Sequence, residues 1–260
     1  MKFGLLGQNI SYSLSPRIFE CIDQKLSLNI SYELFDVQAN EINKIIDKLK
    51  INELQGLNVT KPFKEEVIQY CDELAGDAKD IQSVNTLVSN NGRIIGYNTD
   101  TFGFEQLFLE SQFKKVQPIY IFGNGGSAKA VVHTLEKYHI PFRIVKRQSS
   151  KRVIINENEI LYKDVLDGPG LIIQTTTVGL NDTDPLLIEP NKLKEKCVID
   201  LIYNHPKTVH MQLSKSSVNG LTMLIFQAIQ SFSIWTNNFY SNNQELIDYI
   251  KEVLKNELYR

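Results

Sequence analysis

Apolar residues recur along this chain in two alternating patterns, one typical of strands and one typical of helices. Short apolar runs alternate with longer segments in which apolar residues recur every three or four positions. The short runs predict strands at Lys2–Leu6, Ile30–Val37, Leu57–Val59, Val84–Ser89, Arg93–Tyr97, Ile119–Phe122, Phe142–Val145, Leu171–Gln174 and Val198–Ile202. The longer segments predict helices at Ser15–Leu28, Glu41–Leu49, Thr101–Ser111, Leu221–Thr236 and Gln244–Leu258. Such alternation indicates an α/β protein with parallel strands and crossover helices.

Local signals add a turn, a further helix and a domain boundary to this pattern. Asn90-Asn91-Gly92 predicts a hairpin, because Asn and Gly tolerate positive φ. Pro62 predicts the start of another helix, because proline suits a first helical position. The pattern changes after Asp100, so we interpret the chain as two α/β domains, residues 1–100 and residues 101–220. The two C-terminal helices fit either domain by pattern alone.

Composition narrows the class of protein. The chain has 260 residues, with 28 Lys and Arg against 30 Asp and Glu, and this net charge of −2 argues against a nucleic-acid binder. Cys21, Cys71 and Cys197 lie far apart and fit no zinc spacing, which indicates a reduced, cytoplasmic compartment. The four histidines form no recognised metal motif. We see no signal peptide and no membrane span, so we expect a cytoplasmic protein without metal, nucleic-acid or membrane binding.

A glycine-rich turn is the clearest chemical signal in the second half. Gly123–Ala128 follows an apolar strand and precedes a helical pattern, so its glycines permit a tight turn where backbone amides meet a pyrophosphate. A turn without a ligand is the alternative. The next strand ends in a segment that contains Lys146, Arg147 and Lys151 and no acid. An acid there typically holds the ribose of NAD, so the basic segment favours NADP.

Polar groups near the N-terminus suggest a second site. Ser15 with Pro16 predicts a helix N-cap, and the hydroxyls of Ser11 and Ser13 beside the helix amides would suit a carboxylate. Lys64 would fall in the first turn of the helix predicted from Pro62, where the helix dipole disfavours a cation. That position suits a lysine that transfers a proton, although a surface lysine is the alternative.

Asn85 and Asp100 flank the predicted hairpin, whose two ends lie close in space. Two polar groups at one edge can bind hydroxyls. A turn asparagine and a helix-capping aspartate are the alternatives.

Together these segments resemble the shikimate dehydrogenase family over nearly the whole chain. The matching segments are Ser11–Pro16, Asn58–Lys64, Val84–Thr86, Asn98–Asp100, Gly123–Ala128, Asp200–Tyr203 and Gly220–Gln227. The resemblance implies an oxidoreductase of aromatic amino-acid and chorismate biosynthesis that reversibly reduces 3-dehydroshikimate to shikimate with NADPH. It also implies a substrate domain and a Rossmann-like NADP domain, with residues 221–260 packed back onto the first. We expect a monomer or a homodimer.

The resemblance also implies roles for individual residues. Lys64 and Asp100 would be the catalytic pair, and Ser13 and Ser15 would hold the substrate carboxylate. Thr60, Asn85 and Gln227 would bind ring hydroxyls, and Tyr203 would border the pocket. The nucleotide residues would be Gly123, Gly125, Gly126 and Ser127 at the pyrophosphate and Gly220 near the nicotinamide.

The chain departs from the family pattern at several positions. They include Tyr12, Gln82, Thr101, Lys146, Gln174 and His205. Most lie on the cofactor side, so two alternatives remain open. One is a quinate/shikimate dehydrogenase that uses NAD or both cofactors, and the other is a catalytically silent paralogue that binds shikimate.

Overall fold

The chain folds into two compact units, each built around its own β-sheet. A computed structural model describes residues 1–146, 159–181 and 183–259. The first unit contains Met1–Gly103 and Leu224–Arg260, and the second contains Phe104–Met223. The chain therefore leaves the first unit once and later returns to it. The predicted α/β class is confirmed.

The first unit contains a mixed sheet with the strand order β2-β1-β3-β5-β6-β4 in the described residues. Its elements are β1 (Lys2–Gly7), α1 (Ser15–Leu26), β2 (Ser31–Asp36), α2 (Ile42–Lys50), β3 (Gly56–Val59), β4 (Glu73–Leu74), α3 (Ala78–Ile81), β5 (Thr86–Asn90) and β6 (Arg93–Tyr97). Helix α4 (Asp100–Glu110) begins in this unit and continues into the second. Strand β1 pairs in parallel with β2 and β3, whereas β5 is antiparallel to both β3 and β6. The hairpin predicted at Asn90-Asn91-Gly92 is confirmed, because it joins β5 and β6 as antiparallel neighbours. In that turn, Asn91 and Gly92 have φ values of 52° and 80°.

The second unit is a parallel sheet with the order β12-β11-β10-β7-β8-β9 in the described residues. Its elements are β7 (Ile119–Phe122), α5 (Gly126–Lys137), β8 (Arg143–Lys146), β9 (Glu159–Leu161), β10 (Gly170–Gln174), α6 (Pro190–Leu193), β11 (Lys196–Asp200), α7 (Val209–Leu213) and β12 (Ser216–Asn219). The strand order reverses beside β7, since β8 lies on one side of it and β10 on the other. In such sheets, ligands bind at the carboxyl ends of the strands next to this reversal.

The C-terminal helices are α8 (Leu221–Thr236) and α9 (Gln244–Leu258). The Trp235 ring stacks on Phe3 of β1, with centroids 4.6 Å apart, and its Nε1 donates to the carbonyl of Leu87 at 2.9 Å. Gly56 is required there, because a Cβ on it would lie 2.3 Å from the indole. Arg17 of α1 donates from Nε and Nη2 to the carboxylate of Glu257 in α9, and Tyr249 of α9 donates to Gln24 Oε1 at 3.1 Å. Within the described residues, no helix has the length and apolar composition needed to cross a bilayer.

Candidate active site

Lys64 and Asp100 form an ion pair in the first unit. The Nζ atom of Lys64 donates to Oδ2 of Asp100, and the two side chains are 17% and 7% exposed. Asp100 is the first residue of α4, and Lys64 lies in the turn after β3. Because both charges are largely withdrawn from water, their attraction is stronger than that of an exposed pair.

The helix predicted from Pro62 is wrong. Residues 61–65 form turns, and a short 3₁₀ segment, Glu66–Tyr70, follows. The carbonyl of Lys64 accepts a hydrogen bond from the backbone N–H of Val84 at 2.8 Å, while the N–H of Ile68 bonds to Glu65. The Lys64 carbonyl is therefore used next to β5 and not by a helix. Lys64 is held by Val84 and by Asp100, and it does not lie in the first turn of an α-helix.

Asn85 fixes the other oxygen of Asp100. Its Nδ2 donates to Asp100 Oδ1 at 2.9 Å, and its Oδ1 accepts from the backbone N–H of Thr99 at 2.7 Å. Because a backbone N–H can only donate, this second bond determines which side of the amide faces Asp100. Gln227 Oε1 also lies 3.4 Å from Asn85 Nδ2. The structure thus brings together Lys64, Asp100, Asn85 and Gln227.

A buried polar network lies behind Asn85. Asn58 Nδ2 donates to Thr86 Oγ1 at 3.2 Å and to Ser231 Oγ at 2.9 Å. Thr99 Oγ1 lies 3.3 Å from the hydroxyl of Thr86 and 3.1 Å from that of Ser231. Buried polar groups are costly unless they are hydrogen-bonded, so this network specifies one arrangement of its side chains.

The serines near the N-terminus are arranged differently from the predicted cap. The N-cap position of α1 is Leu14, and Ser15 is already inside the helix. Ser13 Oγ instead accepts from the backbone N–H of Ser15 and lies 3.2 Å from Ser15 Oγ. The prediction that Ser15 caps this helix is therefore wrong by one position, and the Ser13 hydroxyl occupies the helix end.

Tyr32 of β2 connects these serines to the buried network. Its hydroxyl donates to Asn58 Oδ1 at 2.9 Å. Burial raises the pKa of the Tyr32 hydroxyl, which a hydrogen bond with Ser15 opposes, so the phenol stays protonated and remains a donor. Thr60 follows β3, two residues after Asn58, and its backbone N–H donates to Leu6 at 2.9 Å.

The glycine-rich turn of the second unit lies where the sequence predicts it. It connects β7 to α5 at the point where the strand order reverses. Gly123 has φ of 119°, and a Cβ on it would lie 2.2 Å from Thr175 Oγ1. A Cβ on Gly125 would meet nothing within 4 Å. Gly126 and Ser127 begin α5. The turn is therefore open on one side and leaves room for a phosphate beside the helix amides, which fits a dinucleotide.

The basic segment is described only in part. Lys146 ends β8, and its Nζ lies 2.7 Å from Glu159 Oε2. Arg147 and Lys151, which we predict to contact the 2′-phosphate of NADP, lie outside the described residues. Lys146 is therefore paired with an acid of the neighbouring strand β9, a contact that was not predicted from the sequence.

Tyr203 and Gly220 both belong to the second unit. Tyr203 follows β11, and Gly220 lies between β12 and α8. A Cβ on Gly220 would lie 2.2 Å from the carbonyl oxygen of Leu201. Close backbone approach alone therefore requires glycine at this position.

Two departures from the family pattern have clear structural settings. Gln82 ends α3 with φ of 49°, a left-handed conformation in which glycine is unstrained. Gln174 is buried, and its amide bonds to Val178 O and Thr176 N at 2.8 and 2.9 Å, which orders the loop after β10.

A parallel sheet with a glycine-rich turn after a central strand is the architecture of dinucleotide-binding oxidoreductases. A family profile described as the shikimate dehydrogenase substrate binding domain matches residues 5–87. A shikimate dehydrogenase (NADP(+)) from Alkaliphilus oremlandii is 34% identical over 277 residues, covering 96% of this chain and 95% of the relative. The chain belongs to the shikimate dehydrogenase family.

Solved structures agree with this assignment. Shikimate dehydrogenase 1 from Peptoclostridium difficile superposes with a TM-score of 0.86 at 30% identity, covering 100% of this chain and 99% of the other. A shikimate dehydrogenase solved in complex with NADP+ gives a TM-score of 0.81 at 29% identity, covering 100% and 96%. The two-domain, Rossmann-like fold of the family is therefore the fold of this chain.

Proposed function

We propose that this chain catalyses the reversible NADPH-dependent reduction of 3-dehydroshikimate to shikimate, with Lys64 and Asp100 as its proton-transfer pair. The observation that carries the proposal is the partly buried ion pair between these side chains, clamped by Asn85. Relatives over nearly the full length of the chain are NADP(+)-dependent shikimate dehydrogenases. A silent paralogue would not need an intact proton-transfer pair.

Lys64 performs the acid–base step in this proposal. Bound NADPH supplies a hydride to the ketone carbon. The Lys64 ammonium then gives a proton to the ketone oxygen, so the carbonyl becomes a hydroxyl; in the reverse direction the neutral amine accepts that proton. Asp100 holds Nζ in place, and Asn85 holds Asp100. Positioned acid–base catalysis of this kind typically contributes about 10²–10⁴-fold.

The remaining substrate contacts follow from where the side chains lie. We assign the carboxylate to Ser13 and Ser15, whose hydroxyls meet at the start of α1. A helix N-terminus offers amide donors and a partial positive charge there. We assign the ring hydroxyls to Thr60, Asn85 and Gln227, because Asn85 and Gln227 adjoin the ion pair.

The second unit is the proposed NADP domain, and the first is the proposed substrate domain. Gly123, Gly125, Gly126 and Ser127 would bind the pyrophosphate, since the turn they form is open and precedes a helix. Arg147 and Lys151, with Lys146, would meet the 2′-phosphate. Tyr203 and Gly220 keep the roles that the family resemblance implies. We place the protein in the cytoplasm, in keeping with its three free cysteines. We propose that it is a monomer or a homodimer.

The proposal is tested by following the absorbance of the reduced nicotinamide cofactor, NADPH or NADH, with purified protein. Shikimate and quinate are each supplied with NADP+ and with NAD+, which gives four combinations. We expect rapid reduction of NADP+ with shikimate and much slower turnover in the other three. Equal rates with quinate or with NAD+ would replace this assignment with a broader quinate/shikimate dehydrogenase. Folded protein that binds shikimate but turns over nothing would contradict the proposal.

A further inference from the structure

Ser231 lies inside α8 and is completely buried in the first unit, at 0% exposure. Its hydroxyl donates to the carbonyl of Gln227, one turn earlier in the helix, at 2.9 Å. This local bond is the usual partner of a helical serine. Ser231 Oγ also accepts from Asn58 Nδ2 at 2.9 Å and lies 2.7 Å from Thr86 Oγ1. Its proton goes to Gln227, and its oxygen faces Asn58 and Thr86, which both lie far away in the sequence.

The partners of Ser231 are the same groups that hold Asn85. Thr86 Oγ1 donates to Asn85 Oδ1 at 3.0 Å. Thr99 Oγ1 lies 3.1 Å from Ser231 Oγ and accepts from Asn85 Nδ2 at 3.0 Å. Two short routes thus connect the Ser231 hydroxyl to one carboxamide. That carboxamide donates to Asp100, whose other oxygen meets Lys64.

We propose that Ser231 is a positioning residue of the reaction. Through Thr86 and Thr99 it holds the Asn85 carboxamide, and through Asn85 it fixes the carboxylate of Asp100 against Lys64. Two residues, one of the threonines and Asn85, lie between Ser231 and the ion pair. This inference rests on the proposed function, because it assigns Ser231 to the orientation of that proton-transfer pair.

Loss of this hydroxyl should loosen the site without unfolding the unit. In Ser231→Ala, Asn58 Nδ2 keeps its bond to Asn85 O at 3.2 Å, and both threonines keep Asn85 as a partner. The network then loses its shortest contacts with α8 and keeps only the 3.4 Å approach of Gln227 Oε1 to Asn85, so Asn85 can rotate away from Asp100. Misplacement of a catalytic group lowers the rate of the chemical step more than it weakens ground-state binding.

The test compares Ser231→Ala with the wild-type enzyme in the shikimate and NADP+ assay. We expect kcat to fall by about 10- to 100-fold, while KM for shikimate changes by less than about threefold. We also expect the solvent deuterium isotope effect on kcat to rise, because proton transfer becomes more rate-limiting. The double variant Asn85→Ala/Ser231→Ala should have the same kcat as Asn85→Ala alone, since both substitutions act through the Asn85 carboxamide.

Ser233→Ala is the matched control. Ser233 is also a buried serine of α8 that donates to the carbonyl one turn earlier, at 2.9 Å, but its other partners are Ser241 and Tyr240. We expect its kcat to equal that of wild type. If Ser231→Ala does not accumulate as folded protein, Ser231→Cys replaces it, and a weaker hydrogen bond should give a smaller loss of kcat in the same direction.

Three outcomes separate this inference from the proposed function. If Ser231→Ala keeps the kcat of Ser233→Ala in an active enzyme, the role of Ser231 is refuted and the proposed function stands. If the double variant loses kcat by the product of the two single fold-losses, Ser231 does not act through Asn85, and the inference is equally refuted. If the wild-type protein does not oxidise shikimate, the proposed function fails, and the inference fails with it.

Discussion

The ion pair between Lys64 and Asp100 places a cation and an anion where little water reaches them. Each charge therefore depends on the other, and on Asn85, for its solvation. An acid–base group in such a setting is already oriented before substrate arrives, which lowers the cost of reaching the transition state. Removal of a single functional group from this ion pair should therefore have a large effect on the rate of the reaction.

Lys64→Ala should lower kcat by about 10²–10⁴-fold, because it removes the proton donor of the reduction. The affinity for NADP+ should change by less than about twofold, as measured by fluorescence titration. Lys44→Ala, at an exposed lysine of α2, is the control and should leave both quantities unchanged. A Lys64→Ala protein that loses NADP+ binding as much as it loses rate would show that the role assigned to Lys64 is wrong.

Asp200 gives the second unit a pH-dependent stability. Burial raises its pKa to about 6, although Thr208 Oγ1 and the N–H of Ile202 donate to it at 2.6 and 3.1 Å. Because the folded-state pKa lies above the unfolded value, this carboxyl adds stability at low pH. That contribution disappears as pH rises through about 6.

Asp200→Asn should remove this dependence, since the amide is neutral at every pH. Between about pH 5 and about pH 7.5, wild type should lose about 1.4 kcal/mol of unfolding free energy relative to the variant. Urea unfolding followed by circular dichroism at both pH values measures the difference. A constant gap between the two proteins would contradict the raised pKa.

Two glycines of the turn after β7 differ in what requires them. At Gly123 the backbone has φ of 119°, and the Thr175 hydroxyl leaves no space for a Cβ, so the fold itself requires glycine. At Gly125, φ is −82° and the space is open. Only a ligand approaching the backbone would require glycine there.

Gly123→Ala should therefore destabilise the protein by about 1–3 kcal/mol, because it adds backbone strain and a steric clash. Gly125→Ala should change stability by less than about 1 kcal/mol, yet weaken NADP+ by at least about tenfold. Thermal unfolding and NADP+ titration of both variants measure these effects. Tight NADP+ binding by Gly125→Ala would mean that the pyrophosphate does not approach this turn.

Elements with strong local signals could be predicted from the sequence. Strand β7 and helices α8 and α9 have the predicted bounds, because β7 is a continuous apolar run followed by glycine and the two helices have long apolar periodicity. The strands β4, β9 and β12 were not predicted, since their residues form no continuous apolar run like the one in β7. The helix expected from Pro62 is replaced by a turn and a 3₁₀ segment, in which the N–H of Ile68 bonds to Glu65 and the Lys64 carbonyl accepts from Val84.

The residues of the candidate site were likewise predictable from the sequence only in part. Lys64, Asn85 and Asp100 stand in motifs that the family resemblance marks, and the structure brings them together as hydrogen-bonded partners. Tyr32 and Ser231 carry no such signal. A tyrosine in an alternating strand and a serine in an apolar helix look like ordinary core positions until the tertiary fold shows what their hydroxyls contact.

At the scale of the whole molecule, the second unit is an insertion into the first. Its apolar clusters draw only on residues between Phe104 and Met223, as far as the chain is described. The first unit, in contrast, needs its C-terminal part, because Phe232 and Trp235 pack against Phe3 and Phe19. The two units should therefore differ in whether they fold from a continuous piece of chain.

A fragment spanning residues 104–223 should fold when it is expressed by itself and should bind NADP+ within about tenfold of the full chain. A fragment of residues 1–103 should not fold, because the aromatic side chains of α8 are missing from its core. Circular dichroism and NADP+ titration of the two fragments test this. A folded 1–103 fragment would mean that the C-terminal helices are dispensable for its core.

Trp235 is the one tryptophan in the sequence, and its indole lies between Phe3 and the backbone of β5. The emission spectrum of Trp235 therefore reports on the first unit alone. Because β5 begins directly after Asn85, the indole is hydrogen-bonded to a strand next to the candidate active site. Unfolding of the first unit, or ligand binding to it, can be followed by tryptophan fluorescence without an added dye. The second unit contains tyrosine but no tryptophan.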